Sequence, residues 1–303
     1  MTPAYKENNI AIIYASSKYY VPYLDIAIKS VVETKGDYFN YDVIILHKEI
    51  TNNEQFLLKQ NESANISIRF FEIDKEIDSI NYNYRPGYAP ESFYRVIMPY
   101  ILKEYDDAIW LDCDTIVKKD IADYYVQAKN NIGSNCIAAS KDIDGMASSV
   151  CNHENRKQYM RSTLGLKRID DYFQSGVMYF DFVQIRKLYS LDNLIVASCN
   201  PDIMYGDQDV LNYLYRDKVL FMDMSWNTIT NSNRSHMESL LMLAPADIVE
   251  EYLQARLNPY IIHLATKPWN DPMCENAEDF WHLARDSAFY EEIIKRWSDS
   301  VEG

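Results

Sequence analysis

The chain contains no block of lysine or arginine, and across 303 residues it carries a formal net charge of −15. Nucleic-acid binding depends on phosphate contacts that need a basic surface, so this balance excludes that class of partner. It argues equally against electrostatic docking on anionic lipid. No uninterrupted apolar run approaches the ~18 residues of a membrane span. The opening residues, Met1-Thr2-Pro3-Ala4-Tyr5, hold no apolar signal core. Cysteine is scarce and scattered: Cys113, Cys136, Cys151, Cys199 and Cys274 form an odd set without metal-ligand or redox spacing. That usage is expected of reduced thiols in a cytosolic protein. The expected location is therefore cytoplasmic, with a peripheral place at the inner membrane face as the alternative. Repeats and low-complexity linkers are also lacking. At 48% hydrophobic residues the chain has enough apolar material for a full core.

What the sequence does contain is an alternation of strand and helix signals. Residues 10–15 read as a strand, and Leu24, Ala27, Ile28, Val31 and Val32 then fall on one helical stripe. Strands are expected at 43–46 and 66–71, and helices at 53–60 and 92–102. Strands separated by helices imply parallel pairing in a three-layer α/β sheet. Further strands are expected at 136–140, 176–182, 218–222 and 260–264. A helix is expected from 209 to 215, with Asp207 as its cap. Residues 143–172 are polar and weakly periodic, like an insertion over a site. The reading is one catalytic domain, 1–270, followed by a C-terminal helical extension, 271–303, that includes helical sequence at 277–297.

The stretch 107–119 is the most informative. An apolar run, Ala108 to Leu111, is stopped by Asp112 and Asp114 and resumes at Ile116 and Val117. On extended backbone, residues i and i+2 point the same way, so both carboxylates are expected to face one spot at the strand's C-terminal end. Ligands of open α/β sheets bind there. Two anions aimed at one point repel, so a cation is expected between them, and a divalent ion carrying a phosphorylated substrate is the natural candidate. The bland alternative is a strand-end cap beside a turn. His263 follows the apolar Tyr260-Ile261-Ile262 and is either a third metal ligand or a satisfied structural histidine. Oxygen ligands plus one imidazole suit Mn²⁺ better than Mg²⁺. Lys267 could neutralise a phosphate leaving group or be a solvated surface lysine. Asp207 and Gln208, at a helix start, could serve as dipole partners or hold sugar hydroxyls. Arg95, inside an apolar helix, needs an anionic or hydroxylated partner, and an ion pair would supply one.

Read together, these pieces resemble glycosyltransferase family 8. The resemblance runs in order through residues 12–20, Ala27-Ile28-Lys29-Ser30-Val31, Tyr94-Arg95 and Trp110-Leu111-Asp112-Cys113-Asp114-Thr115. It continues with Phe173-Gln174-Ser175-Gly176-Val177-Met178, Gly206-Asp207-Gln208-Asp209-Val210-Leu211-Asn212 and Lys267-Pro268-Trp269. It implies a GT-A fold, an α/β architecture with a Rossmann-like nucleotide-binding mixed sheet flanked by helices. It implies retaining transfer of glucose or galactose from a UDP-sugar to a glycan or glycoprotein acceptor, with Mn²⁺ as cofactor and Mg²⁺ as the alternative. Carried over by residue, Asp112, Asp114 and His263 hold the metal. Ala15 and Ser17 lie by the base and ribose. Arg95, Asp142, Gln174, Asp207 and Gln208 meet the donor sugar, Lys267 meets the diphosphate, and Cys113 and Ser175 complete the donor set. Gln208 lies by the anomeric carbon, with Asp207 beside it as the second catalytic position.

Three departures from the family pattern stand out: Ser17 and Tyr19 replace an Asp and an Asn, Gln174-Ser175-Gly176 replaces Asn-Ala-Gly, and the segment between His263 and Lys267 is two residues shorter. A haloacid dehalogenase-like phosphatase is the rival reading, since Leu111-Asp112-Cys113-Asp114-Thr115 also fits its nucleophile motif. A non-catalytic nucleotide-sugar-binding protein is the third.

Overall fold

The computed structural model describes residues 1–82, 90–151, 154–231 and 233–302. Its main sheet has seven strands: β1 (Asn9–Ala15), β2 (Asn40–His47), β3 (Ile66–Glu72), β4 (Asp107–Leu111), β6 (Ile137–Lys141), β7 (Phe173–Asp181) and β8 (Val219–Met222). Their spatial order is β3-β2-β1-β4-β7-β6-β8. A second sheet places β10 (Ile261–Leu264) between β5 (Thr115–Val117) and β9 (Thr228–Thr230). The sheet is mixed, as the family resemblance implied: β7 runs antiparallel to both β4 and β6, while β1, β2, β3 and β4 pair in parallel, as the alternation of strands and helices implied. Periodicity reports which face a residue takes and not the direction of its neighbour, so the strand and helix signals alone do not show which strand is reversed.

Alternation along the strands builds two apolar layers. Ile10, Ile12 and Tyr14 pack under the helix Val21–Thr34, whose Leu24, Ala27, Ile28 and Val31 form the expected stripe. Ala11, Ile13 and Trp110 face the other way, against Val96 and Ile97 of the helix Tyr94–Ile101 and Val210 and Leu211 of the helix Gly206–Tyr215. A third cluster joins the small sheet to the C-terminal helices Ala277–Ala284 and Tyr290–Glu302: Ile116, Ile262, Leu264 and Trp269 bury Phe280, Leu283 and Ile293. Trp269 stacks on Tyr23, ring centroids 3.9 Å apart, which ties this layer to the first helix.

The chain winds outward from β1 through β2 to β3, then returns to place β4 on β1's other side. The C-terminal ends of β1 and β4 thus flank a topological switch point, where a crevice opens. The stretch 143–172 contains the helices Ile143–Cys151 and Glu154–Ser162, whose residues 144, 145 and 156 line the cleft described below; residues 152 and 153 lie outside the described ones. Among the described residues no helix is long and apolar enough to cross a membrane. Cys113, Cys136, Cys199 and Cys274 form no disulfide; the side chain of Cys151 lies outside the described ones.

Candidate active site

The two aspartates come together by a route other than the expected one. β4 ends at Leu111, and residues 112–114 form a turn closed by the Thr115 N–H donating to the Asp112 carbonyl at 3.2 Å. The Thr115 hydroxyl donates to the same carbonyl at 2.7 Å. The i, i+2 geometry of a strand is therefore not what aligns the carboxylates. The turn, clamped on one side by the Asp112 N–H on the Gly176 carbonyl (2.8 Å) and on the other by Leu264 N–H on the Asp114 carbonyl (3.0 Å), does so. The sequence reading failed here because an apolar run on both sides of a turn looks like one strand interrupted by charge.

His263 reaches the same point from β10. Ligand atoms of Asp112, Asp114 and His263 all lie within 4.8 Å of one another. The His263 Nδ1 sits 3.1 Å from Asn227 Oδ1 and 3.3 Å from Gln174 Oε1, two acceptors for a proton on that nitrogen. Nε2 lies 3.3 Å from Asp114 Oδ1, an ion pair when the ring is protonated. With Nε2 deprotonated, the same two atoms become acceptors that a cation between them satisfies. This donor set, two carboxylates and an imidazole whose other nitrogen is oriented by amide oxygens, fits a divalent first-row metal.

Each carboxylate also has one oxygen held by the protein. Asp112 Oδ1 takes Arg95 Nη2 at 2.9 Å and Trp110 Nε1–H at 2.7 Å. Asp114 Oδ2 takes Lys267 Nζ. Burial would raise the Asp114 carboxyl, but Lys267 and His263 override it and hold it well below the usual carboxylate range. Burial pushes Asp112 up, against the pull of Arg95, and Asp114 adds to the rise. The shortened segment after His263 therefore still delivers Lys267 to the acidic pair.

Arg95 is buried, 4% exposed, and none of its nitrogens is idle. Besides Asp112, Nε lies 3.0 Å from Asp207 Oδ2 and Nη1 donates to the Ser175 carbonyl, while the guanidinium carbon sits 4.5 Å over the Trp110 ring. Arg95 thus ties the aspartate turn to the start of the helix Gly206–Tyr215. Asp207 is not that helix's cap, as the sequence suggested. Tyr205 holds the cap position, and the Asp207 side chain accepts from Ser92 Oγ at 2.8 Å. The pull of a buried arginine outweighs the local preference for capping.

Gln208 is fixed at both ends of its amide. Nε2 donates to Asp142 Oδ2 at 2.8 Å and to Tyr172 Oη at 3.0 Å, and Oε1 accepts from Ser175 N–H at 3.1 Å. All of these residues, with Asp112, Asp114 and His263, line one cleft of about 620 Å³. A smaller crevice of about 150 Å³ shares Arg95, Asp112 and Asp114 with it and contains Ala15, Ser17 and Cys113, the last bonded to the Ala15 carbonyl through Sγ at 3.2 Å. Every site residue expected from the sequence except Lys267 lines one of the two cavities, and Lys267 is joined to them through Asp114.

The sequence missed several residues. Tyr20 lines the smaller crevice, whereas Tyr19, at the position noted as a departure, is 55% exposed. A run of two tyrosines gave no signal for which one turns inward. Asn227, which orients His263, lies in an unremarkable 3₁₀ turn. Tyr172, Tyr205 and Arg156 come from polar sequence without periodicity.

Asp142 provides a titration test. Burial, reinforced by Asp144, pushes its carboxyl up to about 6 in spite of donors from Gly145 N–H and Gln208. The folded chain therefore holds this proton more tightly than the unfolded one, whose carboxyl titrates near ~3.9. The resulting stability is fully present below the unfolded value and is lost as pH rises to about 6. Asp142→Asn should remove up to ~3 kcal/mol of that loss. Its melting temperature, measured against wild type from about pH 4 to pH 7, should therefore gain on wild type as pH increases. Parallel curves would contradict the shift.

Residues 11–272 match the family model for glycosyl transferase family 8, and the chain belongs to that family. Its fold is the GT-A fold of solved glycosyltransferases. It superimposes on the WbbM bifunctional glycosyltransferase with a TM-score of 0.82 at 21% identity, over 98% of this chain and 53% of that one. The galactosyltransferase LgtC, solved with donor and acceptor sugar analogues, gives 0.74 at 21% identity over 95% and 100%. Glycosyltransferase GlyF of Streptococcus pneumoniae serotype 4 is 25% identical over 291 residues, covering 94% of this chain and 63% of that protein. The lipopolysaccharide 1,2-glucosyltransferase of Escherichia coli K12 is 22% identical over 65% of this chain and 54% of its own. The chain thus spans under two thirds of the length of these two relatives and about half of WbbM. Membership of this family disfavours the phosphatase reading.

Proposed function

We propose that the chain is a retaining hexosyltransferase that takes glucose or galactose from a UDP-sugar and passes it to a glycan or glycoprotein hydroxyl with the help of Mn²⁺. The observation that carries this reading is the convergence of Asp112, Asp114 and His263 beside Lys267 at the switch point of the sheet. The names of its relatives support hexosyl transfer. A bound divalent ion would supply Lewis-acid stabilisation of the diphosphate leaving group. The protein's own residues supply the rest. Lys267 adds a cation where charge develops on the departing phosphate. Ala15, Ser17 and Tyr20 form the walls of the crevice assigned to the nucleoside. Gln208, immobilised by Asp142, Tyr172 and Ser175, presents its amide oxygen to the sugar without having to reorganise during reaction. The acidic pair holds charge in place and does not serve as acid and base.

The deciding assay incubates the protein and Mn²⁺ with UDP-glucose, UDP-galactose and a simple phosphate ester. UDP release from a hexose donor, with the ester untouched, is the expected result. Phosphate release from the ester alone would overturn the reading. Gln208→Ala should lower turnover of bound donor roughly a hundredfold while changing donor affinity little. An unchanged kcat with a raised KM would assign Gln208 to binding alone.

A further inference from the structure

Arg156 lines the main cleft beside Tyr172 and Tyr205, and nothing in the reaction described so far uses it. Its side chain is 9% exposed. Its Nε and Nη1 have no hydrogen-bond partner among the described residues. The nearest anion, Asp209, is 3.9 Å from Nη1, too far for a hydrogen bond. Asp209 is already satisfied: it accepts from Tyr159 Oη, from Tyr172 Oη at 2.6 Å and from Tyr205 N–H at 2.9 Å. The guanidinium carbon lies over the Tyr205 ring, 3.6 Å from its centre. A buried cation normally uses its donors, because leaving them unmade is costly. Tyr172 is also a charge and hydrogen-bonding partner of the guanidinium, so Arg156 is oriented by ring contacts and charge, with Nε and Nη1 left over.

We propose that Arg156 is a specificity-determining residue that donates to a hydroxyl oxygen of the donor hexose, an inference that rests on the hexosyltransferase reading above. Two observations fix the chemistry. Tyr172, over which the Arg156 guanidinium also lies at 5.6 Å, accepts from the Gln208 amide at 3.0 Å, so Arg156 is one residue removed from the group assigned to the anomeric carbon. The same cleft carries the carboxylates of Asp142 and Asp144, and Asp142 accepts from the Gln208 amide that also meets Tyr172. A hydroxyl can donate to a carboxylate while it accepts from a guanidinium, so a neutral polyhydroxylated sugar satisfies both. A sugar carboxylate would gain Arg156 but face two like charges. The ligand of this subsite is therefore a neutral hexose and not a uronic acid.

The test compares the affinity of UDP with that of UDP-glucose and UDP-galactose, in Mn²⁺, for wild type and Arg156→Met. UDP lacks the sugar, so its affinity should stay the same. The hexose donor that wild type prefers should weaken roughly ten- to hundredfold. Wild type assayed with 3-, 4- and 6-deoxy analogues of that donor should lose a similar factor on one of them, and Arg156→Met should be indifferent to that same deletion. Should Arg156→Met misfold because Asp209 is left uncompensated, Arg156→Met/Asp209→Asn removes both charges and is measured instead, while the wild-type deoxy series needs no variant. An unaltered ratio of hexose donor to UDP affinity overturns the proposal, as does preferential binding of a UDP-uronic acid or a loss confined to the acceptor KM. Failure of wild type to bind UDP at all would instead overturn the hexosyltransferase reading, so the two failures are distinguishable.

Discussion

Replacing Asp112 or Asp114 by alanine is expected to reduce donor turnover by roughly a thousandfold and to abolish its dependence on Mn²⁺. The two variants should not be equivalent in the apo protein. Asp112→Ala removes one of two carboxylates from Arg95, which keeps Asp207 at 3.0 Å. Asp114→Ala removes the carboxylate partner of Lys267 and His263 together, leaving two cationic or basic groups facing an empty position. Asp112→Asn separates charge from packing, since an amide oxygen can still accept from Trp110 and Arg95. Titration of Mn²⁺ calorimetrically, with UDP present, checks metal binding directly. Thermal melts confirm that the fold survives. Metal-dependent turnover within about tenfold of wild type in both alanine variants would sink the metal assignment.

Gly176→Ala is expected to damage the site nearly as severely, although position 176 offers no ligand. A Cβ there would lie 2.2 Å from His263 Cε1, 2.5 Å from His263 Nδ1 and 3.2 Å from Asp112 Oδ2. Neither side can retreat. Gly176 sits inside β7, with Asp112 N–H bound to its carbonyl, and β10 is held between β5 and β9. The imidazole must swing away and lose its contacts with Gln174 and Asn227, the contacts that select its tautomer. Misplaced support of a ligand costs roughly ten- to a hundredfold in metal affinity, and overpacking costs roughly 1–3 kcal/mol of stability. Removing the ring as well separates the two effects. Gly176→Ala/His263→Ala should recover most of the lost stability, because the two shortest contacts are gone and only Asp112 Oδ2 at 3.2 Å remains, but not metal affinity, because the ligand is gone too. Wild-type metal affinity in the single variant would show that His263 is not held where the structure places it.

Much of the fold was legible because its signals are local. The stripe Leu24, Ala27, Ile28, Val31 reports one buried helix face, and the helix and its packing against Ile10, Ile12 and Tyr14 follow. Asp112 and Asp114 were legible as a site because two carboxylates that end an apolar run need an explanation. The expected geometry was wrong, since a turn and not an extended strand aligns them, but the chemistry survives because both geometries bring the charges together. Asp207 went the other way. Its identity fitted a helix cap, and only the approach of Arg95 from a different helix drew it off that role. The helices Ile121–Asn131 and Ala246–Leu257 were not singled out from the sequence; their apolar faces are interrupted by polar residues and carry weaker periodicity.

By itself the sequence determined the three-layer α/β arrangement, the acidic pair that ends an apolar run and the order of motifs that place the chain in its family, because these follow from residue type and near-neighbour spacing. Tertiary structure alone decided which way β7 runs, why position 176 must be glycine, which tyrosine lines the smaller crevice and which donors of Arg156 are left unused. These depend on atoms from segments tens of residues apart arriving at one point, and neither period nor composition encodes a distance across the fold.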